Sequence, residues 1–68
     1  MKLATFSFDS YEQRGKASND IYYNCNGYNA YEEGFYDGHY ILHILEECND
    51  VQKAMKICIA NQGKQINY

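Results

Sequence analysis

The clearest periodicity in the chain is a two-residue alternation from Lys2 to Phe8, with Ala4, Phe6 and Phe8 on one side and Leu3, Thr5 and Ser7 on the other. That period predicts a half-buried strand with its phenylalanine side toward the core. Near the other end, Val51, Ala54, Met55, Cys58 and Ile59 recur at the spacing of one helix face, which predicts an amphipathic helix over 49–62. Asn49 is placed to cap it, with Gln52 reaching back as in a capping box. Asp50 suits the positive helix start, and Gly63 suits a left-handed residue that ends it. On this wheel Ile57 lies on the polar side and, with Ala60, offers a small apolar contact for a homodimer. Gln65-Ile66-Asn67-Tyr68 supplies a short final strand or a frayed end.

The middle is less regular. Asp9 to Asp20 mixes Ser, Gly, Asn and both charge signs without a period, the pattern of a loop. Ile21 to Cys25 is β-favouring and ends at the turn dipeptide Asn26-Gly27, which suggests a second strand. Asn29 to Cys48 admits two readings. As a helix it places Tyr31, Gly34, Phe35, Gly38, Ile41, Leu42, Leu45 and Cys48 on one face, and Glu32, Tyr36, His39, His43, Glu46 and Glu47 on the other. As strands, Phe35-Tyr36 and His39 to Leu42 flank Asp37-Gly38, a good hairpin turn. The single apolar face favours the helix. The expected fold is therefore α+β, a short N-terminal strand or β-hairpin packed on two helices within one domain spanning 1–68. Its expected core is Phe6, Phe8, Ile21, Phe35, Leu42, Leu45, Val51, Met55, Cys58 and Ile59.

The segment Asn29-Ala-Tyr-Glu-Glu-Gly-Phe-Tyr-Asp-Gly38, aromatic and Gly alternating four apart, resembles a helical pattern in ribosome modulation factors and in small phage and bacterial proteins. The resemblance implies a helix there. It carries over no site residue, because those factors are basic where this segment is acidic.

Charge is distributed as unevenly as hydrophobicity. From Ala17 to Gln52 there are seven carboxylates, six of the eight tyrosines and no Lys or Arg, and the net charge is −3. A one-signed, aromatic-rich stretch of this kind argues against direct nucleic-acid binding and for a basic protein partner. Tyr28, Glu32, Glu33, Tyr36, Asp37, Tyr40, Glu46 and Glu47 are the candidate partner-binding residues, with Tyr as anchors and charge setting specificity.

His39 and His43, four apart, would share one side of a helix and could bridge a metal ion with Glu46 or Glu47. The early Cys pair of a zinc finger is lacking, so two solvated histidines are the preferred reading. No metal or cofactor is expected. Three cysteines, Cys25, Cys48 and Cys58, are an odd number without a CxxC pair and read as reduced thiols of a cytoplasmic protein, with Cys58 in the core. The apolar run after Met1 is too short for a signal peptide or a membrane span. No Gly-rich loop or Ser/His/Asp grouping points to catalysis.

The functional expectation is a non-enzymatic acidic inhibitor that blocks the nucleic-acid site of a basic partner. Its size, acidity and Asn/Tyr bias resemble those of phage-encoded anti-CRISPR and anti-restriction proteins, which implies a cytoplasmic site of action in a bacterial host. The alternatives are a ribosome- or polymerase-associated regulator and a metal-binding regulator using His39 and His43.

Overall fold

The N-terminal alternation forms strand β1, Lys2–Phe8, with Ala4, Phe6 and Phe8 buried. In the computed structural model, which describes residues 1–67, it is followed by helix α1 (Tyr11–Asn24), a single 3-10 turn (Gly27–Ala30) and strands β2 (Tyr31–Tyr36) and β3 (His39–Leu45). Helix α2 (Val51–Ala60) and strand β4 (Lys64–Ile66) complete the described chain. Tyr68, assigned from sequence to a final strand or frayed end, lies outside the described residues. The sheet runs β2-β3-β1-β4, every neighbouring pair is antiparallel, and β1 bears a register shift between Lys2 and Ala4. This is an α+β fold with the order of the ferredoxin-like split β-α-β motif.

The helices pack on the side of the sheet that carries Phe6, Phe8, Leu42 and Ile44, and contribute Ala17, Ile21, Ala54 and Cys58 to one buried cluster. Small residues at Ala17 and Ala54 let both helices lie close to the strands. The opposite side of the sheet carries Thr5, Ser7, Glu32, Ile41, His43, Lys64 and Ile66, as the cross-strand register requires.

Several sequence expectations are corrected. Residues 9–20 are not a loop and 21–25 are not a strand: both belong largely to α1. Ser10 caps this helix by accepting the Gln13 backbone N–H at 3.1 Å. Asn29 to Cys48 is not a helix but the Asp37-Gly38 hairpin, with Tyr36 opposite His39. Both turn residues have positive φ, 51° and 79°, as a type I′ turn demands, and its twist matches that of the flanking strands. The helical pattern suggested by the resemblance therefore does not form, and a strand period of two replaces the assumed 3.6.

Three expected core residues, Leu45, Phe35 and Ile59, lie outside the core: Leu45 alternates with buried Ile44 on β3 and so turns, half-buried, to the helix-free side. Phe35 pairs across the hairpin with Tyr40 at the sheet margin and is 62% exposed. Ile59 is 59% exposed, while Ile57 packs on the core, reversing their expected roles. They flank the fully buried Cys58, each about 100° from it around the helix, and α2 is rolled toward Ile57. Ile57 is thus not available for the dimer contact expected of it.

The ends of α2 also differ from expectation. Asp50, rather than Asn49, is the cap and accepts the Lys53 N–H at 3.1 Å. At the other end Gln62, with φ 70°, takes the left-handed conformation assigned to Gly63. The Gln62 N–H donates to Ile59 O at 3.1 Å and the Gly63 N–H to Cys58 O at 2.8 Å, the paired bonds of a Schellman motif. Gly63 is required for space instead: a Cβ there would lie 2.8 Å from Cys58 O and from the Phe8 ring.

Candidate functional site

Gly15, Ser18, Asn19, Tyr22 and Tyr23 fall at i, i+3, i+4, i+7 and i+8 of α1 and line the side of the helix that faces edge strand β2. Tyr31 and Glu33 of β2 form the opposite wall, and Tyr28 of the 3-10 turn closes one end, leaving a groove of ≈ 360 Å³. Tyr22 meets Tyr23 and Tyr28 edge to face, and Tyr28 is tilted against Tyr31. Tyr22 lies 5.1 Å from Tyr23 and 4.6 Å from Tyr28 between ring centroids, and Tyr28 lies 6.2 Å from Tyr31. Tyr23 and Tyr28 are each 75% exposed, more rim than wall. Burial, and then the carboxylate of Glu33, push the Tyr31 phenol up, so it remains a protonated donor at neutral pH.

Glu33 is held in place. It accepts the Ser18 hydroxyl at 2.6 Å and stands 3.4 Å from Nε of Arg14. The Arg14 guanidinium lies over the rings of Tyr11 and Tyr40, 5.2 and 5.3 Å from their centroids, and donates to Gly34 O at 2.6 Å. Phe35 extends this second aromatic group, 5.0 Å from Tyr40. The α1–β2 flank is therefore one band: rings around Arg14 at one end, Glu33 at the middle, and the tyrosine groove at the other.

The residues singled out from sequence are divided among several places. Tyr28 and Glu33 belong to the groove, and Tyr40 to the ring pair around Arg14. Glu32 lies on the helix-free side of the sheet, opposite His43, and Tyr36 and Asp37 sit at the hairpin tip. Glu46 pairs with the N-terminal ammonium at 3.3 Å, and the Glu47 carbonyl accepts the Asn26 side-chain amide at 2.9 Å, beside the 3-10 turn. Sequence reading missed Tyr22, Tyr23 and Tyr31 as a group, together with Arg14 and Ser18. The helical spacing of Arg14, Ser18 and Tyr22 is visible only once residues 11–24 are known to be a helix, and Tyr31 joins them only through the packing of β2 beside it.

On the helix-free side, His43 is buried and its Nδ1 lies 2.9 Å from Thr5 Oγ1, so only His39 matches the expectation of two solvated imidazoles. Strand spacing also places the pair roughly 13 Å apart, not one helical turn. Burial, and then the Lys2 ammonium, hold His43 below its ordinary pKa, against an opposing pull from Glu32. A histidine favoured in its neutral form stabilises the fold above its unfolded pKa of about 6.5, and that stabilisation is lost as pH falls through the lower folded value. Wild-type stability should accordingly decline between pH 7 and 5 more steeply than that of His43→Gln, measured by urea unfolding. Equal slopes would show that His43 does not titrate between the two states.

Cys25, Cys48 and Cys58 are buried, free thiols. Burial, followed by neighbouring Cys48, pushes the Cys25 thiol up; burial, followed by Cys25, pushes Cys58 up to about 12. Both are protonated at neutral pH and are poor nucleophiles. Among the described residues, no group of three or more His, Cys, Asp or Glu is arranged to hold a metal ion, and no helix is long and apolar enough to cross a membrane. Compared with known proteins, the chain matches no family model, no curated protein and no solved structure.

Proposed function

We propose that this protein is a non-enzymatic binding module whose α1–β2 flank engages a basic protein, of the class that handles nucleic acid, and covers its DNA or RNA site. The observation that carries the reading is the gathering of Tyr22, Tyr23, Tyr28 and Tyr31 into one groove beside Glu33, all from the sequence stretch 17–52 that supplies no Lys or Arg, with Arg14 of α1 paired to Glu33 on its other side. Fold order by itself supports no function, since this arrangement hosts many. The flank supports one. Tyr is enriched among interface anchors because it combines a large apolar ring with a polar tip and few rotatable bonds, and a surrounding negative field favours a positive partner.

Immobilised protein should capture from a cytoplasmic lysate a basic protein that competing duplex DNA or RNA displaces. The double variant Tyr23→Ala/Tyr28→Ala changes two exposed side chains, so it should keep its fold by circular dichroism and lose that capture. Raising salt from about 50 to 500 mM shortens the Debye length from about 14 to 4 Å and should slow association with the captured protein several-fold. Capture that is indifferent to both the tyrosines and salt would refute the reading.

A further inference from the structure

We infer that the tyrosine groove is a receptor for a single guanidinium group, an arginine side chain of the partner. The inference rests on the proposed protein-binding role and names what the groove takes.

The molecule supplies its own precedent. On one side of Glu33 the chain already binds a guanidinium: Arg14 lies over the rings of Tyr11 and Tyr40, stands 3.4 Å from the Glu33 carboxylate and donates to the Gly34 carbonyl. These are rings for the cation's flat face, an acid for its charge and an oxygen for its N–H groups. On the other side of Glu33 the same chemical parts recur. Tyr22, Tyr28 and Tyr31 present rings at steep angles to one another, 62° between Tyr22 and Tyr28 and 51° between Tyr28 and Tyr31. Glu33 belongs to the groove wall, its side chain 39% exposed, and Asn19 adds a side-chain amide. No lysine or arginine lines this second group, and the groove has the volume of a small ligand pocket.

The wall also selects the kind of cation. An ammonium is a compact, strongly hydrated point charge that needs oxygen ligands all round, whereas the groove sets tyrosine rings beside the polar groups of Ser18, Asn19 and Glu33. A guanidinium is planar and weakly hydrated, stacks on rings and still donates edgewise to a carboxylate. Tyr31, held in its protonated form by burial and by Glu33, presents a neutral ring to the incoming cation.

The test uses N-acetyl-arginine methylamide as probe, titrated into the full chain and followed by NMR of the tyrosine rings and backbone amides. The citrulline analogue, isosteric and uncharged, and the lysine analogue run in parallel. Saturable shifts centred on Tyr22, Tyr28 and Tyr31, at least several-fold tighter for arginine than for either analogue, are expected. Tyr28→Ala, at an exposed position, should weaken binding at least several-fold, and Glu33→Gln, which keeps an acceptor for Ser18, should do the same. Equal binding of citrulline, tighter binding of lysine, or shifts that ignore the groove would overturn the assignment. So would unchanged affinity in Tyr28→Ala, a result that stands even if Glu33→Gln disturbs the fold. Loss of the arginine response with tyrosine-dependent partner capture intact would reject this receptor and leave the binding role standing; an arginine response without any such capture would do the reverse.

Discussion

Phe6→Ala should destabilise the protein by about 3 to 5 kcal/mol, a large share of the total stability of a domain, which is on the order of 5 to 15 kcal/mol. Phe6 is wholly buried on a central strand paired on both sides, to β3 and β4, so its removal leaves a cavity that strand pairing prevents from collapsing. Phe35→Ala is the internal comparison. That ring is largely exposed and its described ring contact is with Tyr40, so about 0.5 to 1.5 kcal/mol is expected, the worth of an aromatic pair. Urea unfolding of both variants gives the measurement. Similar losses at the two positions would mean that Phe35 is core and that the hairpin is seated differently on α1.

Gly63→Ala should destabilise the fold by about 1 to 3 kcal/mol, because the added methyl has no room. The new carbon would meet a backbone oxygen, Cys58 O, and the edge of the Phe8 ring, both at 2.8 Å, and neither can swing aside as a flexible chain end would. The adjoining residue should respond in the opposite direction. Gln62 holds a left-handed backbone at φ 70°, so Gln62→Gly should relieve strain and stabilise the fold by about 1 kcal/mol. Opposite signs at neighbouring positions, read from the unfolding midpoint, are the expected signature of the motif. If Gly63→Ala were neutral, the close approach of the turn after α2 to Cys58 O and the Phe8 ring would be wrong.

These variants mark where the sequence was legible and where it was not. Strand β1 and helix α2 could be read because each buries one continuous side of its own residues, and burial is what leaves a period in a sequence. Helix α1 left none: its buried positions are Ala17, Ser18 and Ile21, two of them too small to register as apolar, and much of its inner surface serves the tyrosine groove. Ser10 followed by Gln13 was the surviving local signal of its start. The hairpin was misread for a different reason. Residues 31–48 contain enough apolar side chains to satisfy either period, and the decision fell to backbone geometry, the two positive φ values at Asp37 and Gly38. The acidic, tyrosine-rich stretch pointed toward a binding surface in general terms. Which tyrosines act together depended on bringing α1 against β2, a contact the sequence does not announce.

The three buried thiols carry a practical consequence. Because Cys25, Cys48 and Cys58 are shielded from solvent, a thiol-specific reagent can reach them only when part of the fold opens. Cys58 is carried on the buried side of α2, and Cys25 and Cys48 belong to the junction where the Cys25 carbonyl accepts the Asn49 N–H at 3.5 Å, between the end of α1 and the start of α2. The unaltered protein thus carries built-in clocks on two different elements, α2 and the end of α1, that meet in one buried cluster. Their relative labelling rates would time the loosening of the α2 layer against that of the α1 junction, without any engineered probe.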